Sequence, residues 1–215
     1  MTPILQKLIQ GFSDFRSHYF SERKGLYKQL VSQGQKPKVA VIACADSRVD
    51  PAIVLQVEPG DIFAIRNVAN LVPPYEHDDD RAYHGTSAAL EFAVTQLGVQ
   101  HVVVFGHAHC AGIKAMIDTQ EGEPCTGRFI TLWTSIAAKA YAQAQKLYPN
   151  AKGEDLARCC EKQSVLVSME NLRTFPFIQD GLGKGTLEIH GWYLDIAEGE
   201  MSAYDLDSKT FKRLS

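Results

Sequence analysis

The chain has 215 residues, 45% of them apolar, with 22 basic against 25 acidic side chains for a formal charge of −3. That length buries one substantial core, so a single domain over residues 1–215 is expected. No basic run exceeds Arg23-Lys24 or Lys212-Arg213, and no apolar run approaches the roughly 20 residues of a membrane span, so neither nucleic acid nor a bilayer is an expected partner. The first residues lack the charged start and apolar stretch of a signal peptide, which points to the cytoplasm. Five cysteines, odd in number and irregularly spaced, fit a reducing compartment rather than a disulfide framework.

Residues 3–33 read as an N-terminal helical arm, because Ile4, Leu5, Leu8, Ile9 and Phe12, then Tyr19, Phe20, Leu26, Tyr27, Leu30 and Val31, recur at helix spacing. Gly11 and Gly25 are its expected breaks, and it either packs on its own subunit or joins subunits. After a turn at 34–37, a first strand runs over 38–43, apolar enough to be covered on both faces. Asp50-Pro51 is an N-cap followed by a first-turn proline, opening a short helix to about 56. Glu58-Pro59-Gly60-Asp61 then turns the chain into a second strand over 62–66. Pro73 to Arg81 reads as a surface excursion. A helix over 84–97, with Ala88, Ala89, Phe92, Ala93 and Leu97 inward, ends at Gly98. The third strand is 101–105, another helix starts near Cys110, and amphipathic helices follow over 128–147 and 154–172. Residues 186–204 read as strand, turn and strand. This alternation predicts an α/β fold, a mostly parallel central β-sheet flanked by helices.

Cys44 ends the first strand, and His107 and Cys110 follow the third. The carboxyl ends of strands are where open α/β sheets bind ligands, and Cys₂His is a zinc set that leaves a fourth position open, as catalytic sites do. Cys44 and His107 can meet only if strands one and three are neighbours. His109 would point elsewhere. Beside such a metal, Asp46 is either a ligand or the acceptor for the proton of a metal-bound hydroxide. Arg48 can hold that carboxylate bidentately; the competing reading is a solvated ion pair. A structural zinc module for protein interaction, with Asp46 as fourth ligand, and a cysteine-nucleophile enzyme using Cys44 and His107 also stay open here. Cys159 and Cys160 read as ordinary helix thiols, and Cys125 as a loop residue.

Four ordered motifs, Cys44-Ala45-Asp46-Ser47-Arg48-Val49, Glu58-Pro59-Gly60-Asp61, Arg66-Asn67-Val68-Ala69-Asn70 and Gly106-His107-Ala108-His109-Cys110-Ala111-Gly112, together resemble the β-class carbonic anhydrases over about residues 30–195. The resemblance implies about four parallel strands plus a late antiparallel strand, and a homodimer or homotetramer with the arm at 1–33 as a dimerisation element. It also implies one Zn²⁺ per subunit on Cys44, His107 and Cys110, with Asp46 and Arg48 as a dyad aiming a zinc-bound hydroxide at CO₂ to give bicarbonate. Gln35 matches a pocket glutamine, and Phe63 and Val68 match apolar lining that reaches the metal across a subunit interface. Phe92 stands where plant-type members carry tyrosine and extends that lining. Ala111 replaces the usual first glycine after the cysteine, and His77, His84 and His109 are possible proton shuttles. Val41 and Leu194 replace the aromatic partners that allosteric members place around Arg66 in a second bicarbonate pocket. The implied branch is therefore the plant-like, non-allosteric one, with water rather than Asp46 on zinc. Relatives that hydrolyse COS or CS₂ by the same chemistry are the alternative.

Overall fold

A computed structural model describes residues 1–76, 84–123 and 127–214. At its centre is a six-stranded sheet in the order β2-β1-β3-β4-β5-β6, formed by β1 (Val39–Cys44), β2 (Ile62–Asn67), β3 (His101–His107), β4 (Glu188–Asp195), β5 (Glu200–Asp205) and β6 (Thr210–Arg213). The first four strands in that order are parallel, while β5 pairs antiparallel with β4 and β6 antiparallel with β5. The sheet therefore ends in two antiparallel strands rather than one. The four residues of β6 are too short and too polar to carry a strand pattern of their own. Because β2 lies on one side of β1 and β3 on the other, the chain reverses direction between β1 and β3. Such a switch point opens a crevice at the strands' carboxyl ends.

Apolar residues line both faces of β1 and β3, as in buried parallel strands. Val41, Ala43, Val103 and Phe105 join one core cluster, and Ala40, Ile42, Val102 and Val104 join the other. The helices are α1 (Pro3–Asp14), α2 (Phe20–Glu22), α3 (Lys24–Gln33), α4 (Pro51–Val54), α5 (Gly85–Glu91), α6 (Ala111–Gln120), α7 (Arg128–Thr134), α8 (Ala138–Leu147), α9 (Gly153–Leu172) and α10 (Pro176–Gly183). Twenty residues make α9 roughly 30 Å long, enough to contribute Leu156 and Cys160 to the first cluster and Val165, Met169 and Leu172 to the second. Gly106 and Gly191 permit its close approach: a Cβ at either would come within 2.5 Å of Val165 or Met169. Among the described residues no helix is long and apolar enough to cross a membrane.

Two expectations need correction, and one helix carries no sequence signal. The arm runs unbroken through Gly11 and Gly25; its irregularity is a wide turn over Phe15–Tyr19 and a break at Arg23 (φ −103°, ψ 13°). In the helix that starts at Gly85, the inward residues are Leu90 and Ala93, while Ala88 and Phe92 are exposed. The helix α10 was not anticipated, because its eight residues include two glycines. No residue of α1 is buried, and Ile4, Leu8 and Phe12 remain about three-fifths exposed. The arm is held to the body by Arg23, which donates Nε to Glu58 Oε2 (2.7 Å) and Nη2 to Oε1 (3.0 Å).

Candidate metal centre

β1 and β3 pair directly, with Ala43 opposite Phe105, so Cys44 and His107 emerge side by side at the switch point. Cys110 follows as the N-cap of α6. Between them the Ala108 amide donates to the Leu194 carbonyl (2.8 Å), and His109 takes a left-handed φ of 56°. That conformation is costly for a non-glycine residue and tends to cluster at functional sites. Ala69 (φ 65°) and Asn70 (φ 48°) are strained in the same way, and the Ala69 amide donates to Cys44 Sγ at 3.3 Å. The left-handed turns thus collect around the two sulfurs.

Cys44, His107 and Cys110 are all buried, and their ligating atoms lie within 4.8 Å of one another. The sulfurs are 4.0 Å apart; two thiolates bound tetrahedrally at ~2.3 Å would sit about 3.8 Å apart. His107 Nδ1 lies 2.7 Å from the Ala108 carbonyl, to which it can only donate, so the other nitrogen, Nε2, carries the lone pair. That Nε2 is buried and has no hydrogen-bond partner. An orphaned acceptor facing two sulfurs is what a soft metal ion satisfies, and the donor set fits zinc. Without a metal, the Cys110 thiol donating to Cys44 pushes the latter down to about 4, against the opposing effect of burial. Burial lowers His107, but the Cys44 thiolate outweighs it and raises the ring's proton affinity.

Asp46 lies outside the ligand cluster and is turned onto Arg48. Its Oδ1 accepts from the Arg48 amide (2.9 Å) and Nε (3.0 Å), and its Oδ2 from Nη2 (2.7 Å). This fork holds the Asp46 carboxyl well below the usual carboxylate range. Arg48 Nη2 also reaches the His109 carbonyl (3.0 Å), tying the pair to the strained ligand loop. Arg66 is fully engaged: it donates to the carbonyls of Cys44 (3.0 Å) and Asp46 (2.8 Å) and pairs with Asp50 (2.6 Å). Val41 and Leu194 are buried, Val41 completely.

The four expected pocket residues divide. Val68 adjoins Ala69 and comes close to Gly112, where a Cβ would lie 2.7 Å from it. Gln35 is exposed just before β1, at the end of that strand opposite Cys44. Phe63 packs into the cluster on the other face of the sheet, with Phe92 beside it at 5.9 Å between ring centroids. Within one chain these three do not meet the metal centre. His109 is exposed, His84 lies 3.3 Å from Glu76, and His77 and Cys125 fall outside the described residues. Cys160 is pushed up to about 12 by burial, as a packed thiol should be.

Glu161, in α9 next to the Cys159-Cys160 pair, belongs to no motif that would mark it. It is 2% exposed. Its Oε1 accepts from the Cys110 amide (3.0 Å) and from Arg158 (2.9 Å), and its Oε2 from the Tyr193 hydroxyl (2.7 Å). Burial pushes its carboxyl up, while those three donors favour the ionised form. Trp133 was also unforeseen; its indole donates to the Val68 carbonyl (2.7 Å) and fixes the loop that presents Ala69 to Cys44.

Residues 39–201 match the carbonic anhydrase family model. The chain is 38% identical over 204 residues to a carbonic anhydrase of Synechocystis sp., covering 94% of this chain and 71% of that protein. It is 35% identical over 207 residues to beta carbonic anhydrase 3 of Arabidopsis thaliana, covering 96% and 79%, which agrees with a plant-like branch. Among solved structures, the β-carbonic anhydrase CcaA superposes with a TM-score of 0.88 at 36% identity, over 100% of this chain and 93% of that one. A tetrameric β-carbonic anhydrase of Sordaria macrospora gives 0.81 at 25% identity, over 94% and 97%. Fold, family model and relatives agree with the motifs read from the sequence: the chain belongs to the β-class carbonic anhydrases, an enzyme family of zinc lyases.

Proposed function

We propose that the protein reversibly hydrates CO₂ to bicarbonate and a proton, with one zinc per subunit on Cys44, His107 and Cys110. The single observation that carries this reading is the buried, unpartnered His107 Nε2 facing two cysteine sulfurs, with an ionised Asp46–Arg48 pair alongside. Zinc in such a site supplies Lewis acidity, lowering the pKa of water from about 15.7 toward ~7. The chain's own residues supply aim. Asp46 accepts a hydrogen bond from the nucleophilic oxygen, which turns that oxygen's lone pair toward CO₂. Arg48 keeps Asp46 ionised and stationary, so no reorientation is needed during the reaction. Val68 contributes an apolar wall suited to a substrate without a net dipole.

The pairing of Asp46 with Arg48, and the engagement of Arg66 beside buried Val41 and Leu194, support the non-allosteric form with water in the fourth position. Three protein ligands and no fourth from Asp46 argue against a closed structural zinc module. Gln35, Phe63 and Phe92 act, in this reading, on the metal centre of a partner subunit. The exposed apolar side of α1 supports a homodimer or homotetramer. Thiolate ligands suit a reducing compartment, which supports a cytoplasmic location.

The test is metal analysis with stopped-flow CO₂ hydration, run alongside COS and CS₂ turnover on the same sample. One zinc per chain with rapid CO₂ hydration supports the proposal. Turnover confined to COS or CS₂, or full activity after zinc removal, contradicts it.

A further inference from the structure

A second group of ligating side chains lies at the other end of β3. His101 opens β3, and Glu188 and His190 lie at the start of β4, with His101 directly opposite Glu188 in the parallel register. Alternation along a strand places Glu188 and His190 on one face, and the three ligating atoms form a compact triangle. His101 Nδ1 is 3.1 Å from His190 Nε2 and 3.8 Å from Glu188 Oε2, and His190 Nε2 is 3.6 Å from that same oxygen. The nearest point equidistant from all three lies in their plane about 2.0 Å from each, and a tetrahedral ion just above that plane would lie about 2.2 Å away, close to the ~2.0–2.2 Å of zinc–imidazole and zinc–carboxylate bonds.

The backbone beneath is fixed. The amides of Gln100 and His101 both donate to the Lys38 carbonyl (2.8 and 3.1 Å), and the Glu188 amide donates to the Gln100 carbonyl (2.9 Å). Burial, then the neighbouring His101, hold His190 below the ordinary histidine value, which favours the neutral ring. All three side chains keep some exposure, so an ion could enter from solvent. Six residues of extended strand separate His101 from His107, roughly 20 Å, so this group is distinct from the Cys44–His107–Cys110 centre.

We propose that His101, Glu188 and His190 form a second, exchangeable site for zinc or a similar late transition-metal ion, clipping β3 to β4 at the end of the sheet opposite the thiolate centre. Two imidazoles and one carboxylate are a competent zinc set with open positions. By binding only the folded sheet, the ion would stabilise it as its concentration rises.

The test is equilibrium dialysis of the untagged, zinc-loaded protein against added zinc, with metal analysis and a melting curve. The wild type should take up a second equivalent with a rise in Tm. The double variant His101→Ala, His190→Ala should keep one equivalent, tightly held, and show no zinc-dependent rise. Saturation of the wild type at one equivalent, or uptake of the second by the double variant, would overturn the proposal. Should the double variant fail to fold, Glu188→Gln alters only an exposed carboxylate. It should weaken the second equivalent by about tenfold or more, and an unchanged affinity there would be equally decisive against the site.

Discussion

The two ends of β3 each carry a histidine near a carboxylate, yet they differ in every physical respect. At the carboxyl end His107 is buried, its tautomer set by the Ala108 carbonyl, among backbone turns in strained conformations. Arg48, Arg66 and Glu161 each tie a different part of the ligand loops in place. At the amino end His101 and His190 are half-exposed and hydrogen-bond to each other. No strained residue lies within that group. Burial, with the ligand loops tied down by Arg48, Arg66 and Glu161, makes a permanent reagent site, whereas partial exposure allows an ion to come and go. A catalytic centre needs the first arrangement because its groups must not reorganise during the reaction.

The largest way to break this contrast is Cys110→Ser, which should cost the thiolate end its zinc and reduce CO₂ hydration to background; retained stoichiometric zinc would contradict the ligand set. Next comes Glu161→Leu. It leaves the Cys110 amide and Arg158 without their buried acceptor, and loss of one partner from such a pair costs about 3–5 kcal/mol. A denaturant titration should show a drop of that order, and a change under ~1 kcal/mol would remove Glu161 from the account. Deleting residues 1–14 should leave zinc binding intact but reduce the assembly's mass by light scattering. An unchanged assembly would assign α1 to its own subunit.

The Asp46–Arg48 pair sharpens the contrast through pH. A depressed carboxyl pKa contributes stability that is fully present above the unfolded value of ~3.9 and lost as pH falls through the lower folded value. The stability gap between wild type and Asp46→Asn should therefore be flat from about pH 8 to 5 and narrow below about 4. A gap already closing near pH 6 would contradict the tight pairing. The smallest effect belongs to the amino end: without added metal, His190→Gln should change stability by no more than about 0.5 kcal/mol.

Much of this was legible in the sequence for identifiable reasons. The continuous apolar runs of β1 and β3 announce buried parallel strands, and Asp50-Pro51 caps its helix as expected, with the Asp50 side chain accepting from the Ala52 amide. Gly98 closes its helix in a left-handed conformation (φ 66°). The three ligands stood out because cysteine and histidine at strand ends have few structural uses. What stayed hidden depends on long-range packing. Glu161 is an ordinary helix residue until α9 crosses the sheet and places it under Cys110. Helix periodicity places Phe92 inward, but its helix widens there and Leu90 and Ala93 take the core. His101, Glu188 and His190 lie 87 residues or more apart in part, and only the β3–β4 register brings them together.

The central claim is that Asp46, held by Arg48, aims the nucleophile at CO₂ beside the zinc centre that Cys44, His107 and Cys110 would form. Stopped-flow CO₂ hydration by zinc-loaded Asp46→Asn tests it most directly, since the variant keeps the shape and loses the ionised acceptor. With zinc content confirmed as unchanged, kcat should fall by about 10–100-fold. Wild-type turnover in that zinc-loaded variant would contradict the account.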